Sequence, residues 1–148
     1  MKPDPLLVLE TVSMKLIMEV VPQLPTSYAQ QALSGSATIL AAAREELDRA
    51  AGRRIEENRA LRRLFAEAKG VVTDSDLAAR LAEAAASEEG SLLISELDRS
   101  NQQLRALLIR LHEHVEGLKD DAARRVEAAI WAELRASTER RRSMLGNF

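Results

Sequence analysis

The chain has 148 residues, room for a single domain spanning 1–148 with a real core. Apolar residues make up 46% of it but aromatics only 3%, so a core of Leu, Ile, Val, Met and Ala is implied, which favours close helix packing over a β-sandwich. The 21 basic and 23 acidic residues leave a formal charge of −2, far from the basic excess that phosphate neutralisation needs, so nucleic acid is a poor partner; the absence of cysteine excludes disulfides, thiolate zinc sites and a nucleophilic thiol, and suits a reducing cytoplasm.

Ala, Leu, Glu and Arg dominate, and Gly and Pro fall at a few places, so the elements expected are helices. The first should begin after Asp4 as N-cap, with Pro5 at the first helical position, and run to Val21. Glu10, Lys15 and Glu19 interrupt its apolar run, so it reads neither as a signal peptide nor as a membrane span. On a wheel of about 100° per residue, Leu6, Leu9, Val12, Leu16, Ile17 and Val20 form one face, and Leu7, Met14, Met18 and Val21 form a second stripe. A helix apolar on so much of its circumference has more than one packing neighbour. Either it is a central helix covered by its own chain, or the second stripe meets another subunit.

Thr26 or Ser27 can cap a second helix reaching Ala51, with Tyr28, Ala32, Leu33, Ile39, Leu40, Ala43 and Leu47 turned inward and Ala32, Gly35, Ser36 and Ala43 small enough for close backbone approach. Gly52 is then a kink or a break before a stretch over 53–69 that turns Ile55, Leu61, Leu64, Phe65 and Ala68 to one face. Thr73 and Asp76 are placed like a capping box for a short Ala-rich helix with Leu77, Leu81 and Ala84 or Ala85 inward. The strongest pattern follows. Ile94, Asn101, Leu108 and Val115 occupy one heptad core position and Leu97, Leu104, Leu111 and Leu118 the other, which predicts a long helix packed in coiled-coil fashion. Asn101 either fixes register or partner number, or hydrogen-bonds a neighbouring loop. A last helix after Asp120 and Asp121 should bury Ala122, Val126, Ala129, Ile130 and Leu134, with Arg140, Arg141 and Arg142 complementing its dipole. The class expected is all-α, an antiparallel helical bundle of about four long helices with one or two short extra ones.

Chemistry-bearing motifs are sparse. There is no glycine-rich phosphate loop, no Gly-x-Ser-x-Gly elbow and no Glu-x-x-His pair, so no catalytic, cofactor-binding or metal residues are assigned, and the protein is expected to carry no stoichiometric iron or zinc. His112 and His114 flank the heptad seam as solvated or partly covered residues, His112 forming a surface pair with Glu116. The mixed charges of Arg53, Arg54, Glu56, Glu57, Arg62 and Arg63 read as a solvated face. Arg140 to Arg142 with Met144, Leu145 and Phe148 could grip a membrane surface or a partner groove, but a frayed terminus accounts for them. Trp131 sits at the edge of the last helix's buried face, where tryptophan either caps a bundle end or serves an interface.

Leu24-Pro25, Ala29, Ala32, Leu40 and Arg44-Glu45, within the first third of the chain, resemble a family of small uncharacterised bacterial helical proteins encoded near, or joined to, aminoglycoside-phosphotransferase-like kinases and acyl-CoA dehydrogenases. The resemblance implies an accessory role beside a metabolic enzyme and supplies no catalytic residues. The expected function is that of a helical-bundle interaction protein that binds or stabilises such an enzyme and self-associates as a dimer through Leu7, Met14, Met18, Val21, Asn101 and Trp131. The alternative is a binder or enzyme for an acyl or phosphorylated small molecule. An apolar cavity with convergent Arg and Glu would favour that alternative, and a filled core with an apolar outer stripe the interaction protein.

Overall fold

The computed structural model describes residues 3–142. Among them the chain is an all-α helical bundle of five α-helices with no strand: α1 (Pro5–Lys15), α2 (Ser27–Ala68), α3 (Ser75–Ala86), α4 (Ile94–Glu116) and α5 (Asp121–Arg140). No described helix is long and apolar enough to cross a membrane.

The Asp4 side chain accepts from the Leu6 N–H at 2.9 Å, and Pro5 follows as the expected cap predicts. The α-helix does not reach Val21. From Leu16 to Val20 the backbone widens into a π-helix, and Val21–Gln23 tightens into a 3₁₀ turn. Pro22 has no N–H to continue the ladder. Upstream, the hydroxyls of Thr11 and Ser13 donate to the carbonyls of Leu7 and Leu9, a back-bonding that bends helices. Thr26 Oγ1 then accepts from the Ala29 N–H at 3.2 Å at the start of α2. The two stretches expected on either side of Gly52 are one helix of 42 residues. One glycine costs a helix interior only about 1 kcal/mol, and strong helix formers surround it.

The described residues divide into two compact units, 3–50 and 51–142. In the first, α1 and the first half of α2 form a hairpin joined by a Glu10–Arg44 ion pair at 3.3 Å. Its only buried described residues are Ser13, Ala37 and Ala50. The inward set expected of α2 is therefore corrected: Tyr28, Ala32, Ile39, Ala43 and Leu47 are exposed, and Leu33 and Leu40 half-buried. Val12 on α1, and Ile17 and Val20 in the π-helical turn, are likewise exposed. Two helices give each other one neighbour, so most of each circumference stays open.

The second unit has a true core. Leu61, Leu64, Phe65 and Ala68 of α2 pack with Leu77 and Leu81 of α3, Leu104, Leu107, Leu108, Leu111 and Val115 of α4, and Ala123, Val126 and Ile130 of α5. The heptad register of α4 holds from Leu97 to Val115, whereas Ile94 is exposed and Leu118, beyond the helix end, half-buried. The α3 cap is Asp74 rather than Thr73, its carboxylate accepting from the Leu77 N–H at 2.8 Å. That backbone donor holds the Asp74 carboxyl below its ordinary value. Thr73 turns instead to His114, whose Nε2 accepts from the Thr73 N–H at 3.2 Å. Asp120 caps α5 in the same manner through the Ala123 N–H.

Candidate functional site

Three places in the molecule carry more than packing. The first is the open face of the hairpin. Four residues expected at an interface lie here: Leu7 (61% exposed), Met14 (53%) and Met18 (67%) are exposed, and Val21 is half-buried. The π-turn lies between Met14 and Val21, so one straight stripe on a uniform wheel does not describe them. What they share is exposure, together with Val8, Val12, Ile17, Val20 and, from α2, Tyr28 and Ile39. Between Leu16 and Ala43 the chain carries a single charged side chain, Glu19. A cleft of about 290 Å³ opens beside this face, lined by Ser13, Met14, Ile17 and Ala41 with Glu10, Arg44 and Glu45. Arg44 Nε is buried there without a hydrogen bond, while its Nη2 pairs with Glu10. The clefts described on the second unit are lined by mixed charges, such as Glu88, Glu89, Glu96 and Arg99 near the loop before α4.

The second place is a buried polar layer in the other unit. Glu57 of α2 is 1% exposed, and its carboxylate accepts from Arg141 Nε (2.7 Å) and Nη2 (2.6 Å), Ser137 Oγ (3.1 Å) and Asn101 Nδ2 (3.2 Å). Asn101 also donates to Asn58 Oδ1 at 2.9 Å, and Asn58 donates to the Leu97 carbonyl at 3.4 Å. Burial pushes the Glu57 carboxyl upward, but the hydrogen bonds and charge of Arg141, the Ser137 hydroxyl and the more distant Arg54 outweigh it, so its pKa lies below the ordinary glutamate value. Asn101, expected to set register, partner number or a loop contact, has its amide bonded to α2 of its own chain. Arg141 and Arg140 are not a frayed end: Arg141 closes this layer, and Arg140 makes a two-pronged pair with Glu133 at 2.9 Å for each arm. Met144, Leu145 and Phe148 lie outside the described residues. Arg62, expected on a solvated face, is buried and bonds Ser87 and Glu89 in the segment before α4 and Ser100 within α4.

The sequence reading put Glu57 on a solvated face and Arg141 at a helix end, and it passed over Asn58 and Ser137; the structure corrects both placements. A signal was there. Glu57 stands four and seven residues before Leu61 and Leu64, Asn101 sits in the heptad, and Ser137 follows Ile130 by seven, so three helices each place a polar residue on the apolar stripe. Buried polar groups require partners, and three such interruptions satisfy one another.

The third place is the α4–α5 surface around Trp131, 48% exposed and edge-on to His112 with ring centroids 5.3 Å apart at 87°. Beside it His112, Glu116 and Glu127 bring one imidazole nitrogen and two carboxylate oxygens within 4.8 Å of one another. No family model, curated protein or solved structure matches the chain.

Proposed function

We propose that the chain is a self-associating helical interaction protein whose dimer contact is the open face of the α1–α2 hairpin. The observation that carries this reading is a segment rich in large apolar side chains that buries almost none of them: the only buried described residue of α1 is Ser13. Contiguous exposed apolar surface of this kind marks an interaction site. A standard interface needs about 800 Å² from each partner, some twenty residues a side. A second copy is the occupant the chemistry favours. A face with one charged side chain between residues 16 and 43 meets itself without like-charge repulsion, and two hairpins packed face to face complete a four-helix arrangement with twofold symmetry. Exposed Ala32, Gly35, Ser36 and Ala43 let the backbones approach closely.

The experiment is light scattering coupled to size exclusion, run beside circular dichroism. Wild type is expected to be a dimer at micromolar concentration, and Met14→Glu with Met18→Glu a folded, helical monomer. A wild type that stays monomeric at high micromolar concentration, or a double variant that unfolds, overturns the proposal. The metabolic-enzyme partner implied by the family resemblance belongs to this reading as the class of client. Its support would be a kinase or dehydrogenase that copurifies with the native chain.

A second reading is favoured by the cleft at Arg44, where an apolar wall meets a cation with an unpartnered nitrogen, a fit for the carboxylate of a short acyl chain. Its volume of about 290 Å³ lies at the lower end for ligand pockets, and Glu10 already neutralises Arg44, which is why it stands second. Saturable binding of octanoate, lost in Arg44→Met, would bring it forward.

A further inference from the structure

We infer that His112, Glu116 and Glu127 form a binding site for a divalent transition-metal ion, zinc or a chemical equivalent, on the α4–α5 surface. His112 and Glu116 are one turn apart on α4, and Glu127 comes from α5. This mixture of one imidazole and two carboxylates suits borderline ions such as zinc or cobalt better than calcium or magnesium, which prefer all-oxygen shells.

The geometry is close to what such an ion requires. Metal–ligand bonds of about 2.0 to 2.1 Å in a tetrahedron place neighbouring donor atoms about 3.4 Å apart. His112 Nε2 and Glu116 Oε1 are 3.4 Å apart, and ligand atoms, one each from His112, Glu116 and Glu127, lie within 4.8 Å of one another. Binding would require the Glu127 carboxylate to move inward from this spacing.

The local bonding is unbalanced in the way a cation would correct. His112 Nε2 is buried and makes no hydrogen bond: its contact with Glu116 is within ion-pair range but not aligned as a hydrogen bond. Two carboxylates held this close repel unless a proton or cation lies between them. Among the described residues neither Glu116 nor Glu127 has a Lys or Arg partner in an ion pair, although arginines are plentiful in this unit and pair with Asp98, Glu89, Glu133 and Glu57 elsewhere. Trp131 packs T-shaped against the His112 ring, with the centroids 5.3 Å apart. Three protein ligands leave one tetrahedral position to solvent.

Two histidines stand near each other in sequence, and only one suits this role. The Nε2 of His114 already accepts from Thr73, on a different side of α4.

The test uses the full chain with zinc and cobalt chlorides as probes. Cobalt is expected to bind at one ion per chain, with the visible absorption of a tetrahedral ion, to quench the fluorescence of Trp131, the only tryptophan, and to be displaced by zinc. Glu127→Gln, which keeps side-chain size, and His112→Ala should each weaken binding by at least about 10- to 100-fold while circular dichroism stays unchanged, and His114→Ala should leave it as in wild type. Lack of saturable binding up to about 1 mM free ion overturns the inference. So does binding that survives Glu127→Gln, or that is lost in His114→Ala instead. The site lies within residues 51–142, so its outcome is independent of the hairpin experiment.

Discussion

Residues 3–50 and residues 51–142 use a similar supply of Leu, Ile, Val and Ala and end in opposite conditions. The first segment leaves Leu7, Met14, Met18, Tyr28 and Ile39 in solvent, whereas the second seals Phe65, Leu81, Leu97, Leu111 and Ile130 completely. The difference is the number of neighbours. Around α4 stand parts of α2, α3 and α5, so its apolar stripe is enclosed; the hairpin has only one helix to offer the other. Charge follows the same division. Charged residues recur throughout 51–142, although Leu92, Leu93, Ile109 and Trp131 are exposed there too, while the hairpin has a single charge from Leu16 to Ala43.

The largest effects that separate the two regions should come from the core. Leu108→Ala, 5% exposed in the wild type, should cost about 2 to 5 kcal/mol in urea unfolding. A cost near the about 0.5 kcal/mol of surface substitutions would mean that the heptad seam is not enclosed.

Next comes the buried carboxylate. Arg141→Ala removes both of its bonds to Glu57 and leaves a buried charge with hydroxyl and amide donors alone, an expected loss of about 2 to 3 kcal/mol at pH 7, held to the lower side because the arginine is partly solvated.

The pH dependence sharpens the same point. The folded carboxyl titrates below the unfolded value of about 4.3, so its stabilisation is complete above that value and disappears as pH falls through the folded pKa. The difference in unfolding free energy between wild type and Glu57→Gln should therefore be constant from pH 6 upward and shrink below about pH 4. A difference that persists unchanged at pH 3 would mean that packing, not ionisation, is what Glu57 supplies.

The smallest effect is expected on the hairpin. Tyr28→Ser, at a side chain 84% exposed, should change the stability of the monomeric Met14→Glu, Met18→Glu background by no more than about 0.5 kcal/mol. A larger loss would place Tyr28 in a core and erase the contrast between the two units.

Much of the second unit was legible before any coordinates. The periodicities of Leu61, Leu64 and Phe65, of the α4 heptads and of Val126 and Ile130 each lead to the faces that are buried, because a helix with one apolar stripe and several neighbours has a single way to turn. The inward face expected of residues 28–47 stands open for a related reason. Apolar periodicity reports which face wants cover, and it says nothing about whether the same chain provides that cover. Gly52 did not end a helix, since one glycine cannot outweigh the helix formers on both sides, and Asp74 took the cap that Thr73 and Asp76 suggested. The candidate metal ligands escaped a search for Glu-x-x-His because His112 and Glu116 are four apart, and the third comes from another helix.

By itself, then, the sequence determined what short-range physics controls: all-helical class, caps at Asp4 and Asp120, the register of α4 and the absence of the standard phosphate and nucleophile motifs. The tertiary structure alone decided which distant residues meet. Glu57 and Arg141 lie 84 positions apart, Glu57 and Ser137 lie 80 apart, and no local period links them. Such pairs form because burying a carboxylate is costly until donors reach it, and only the packed arrangement of α2, α4 and α5 brings those donors within hydrogen-bonding distance.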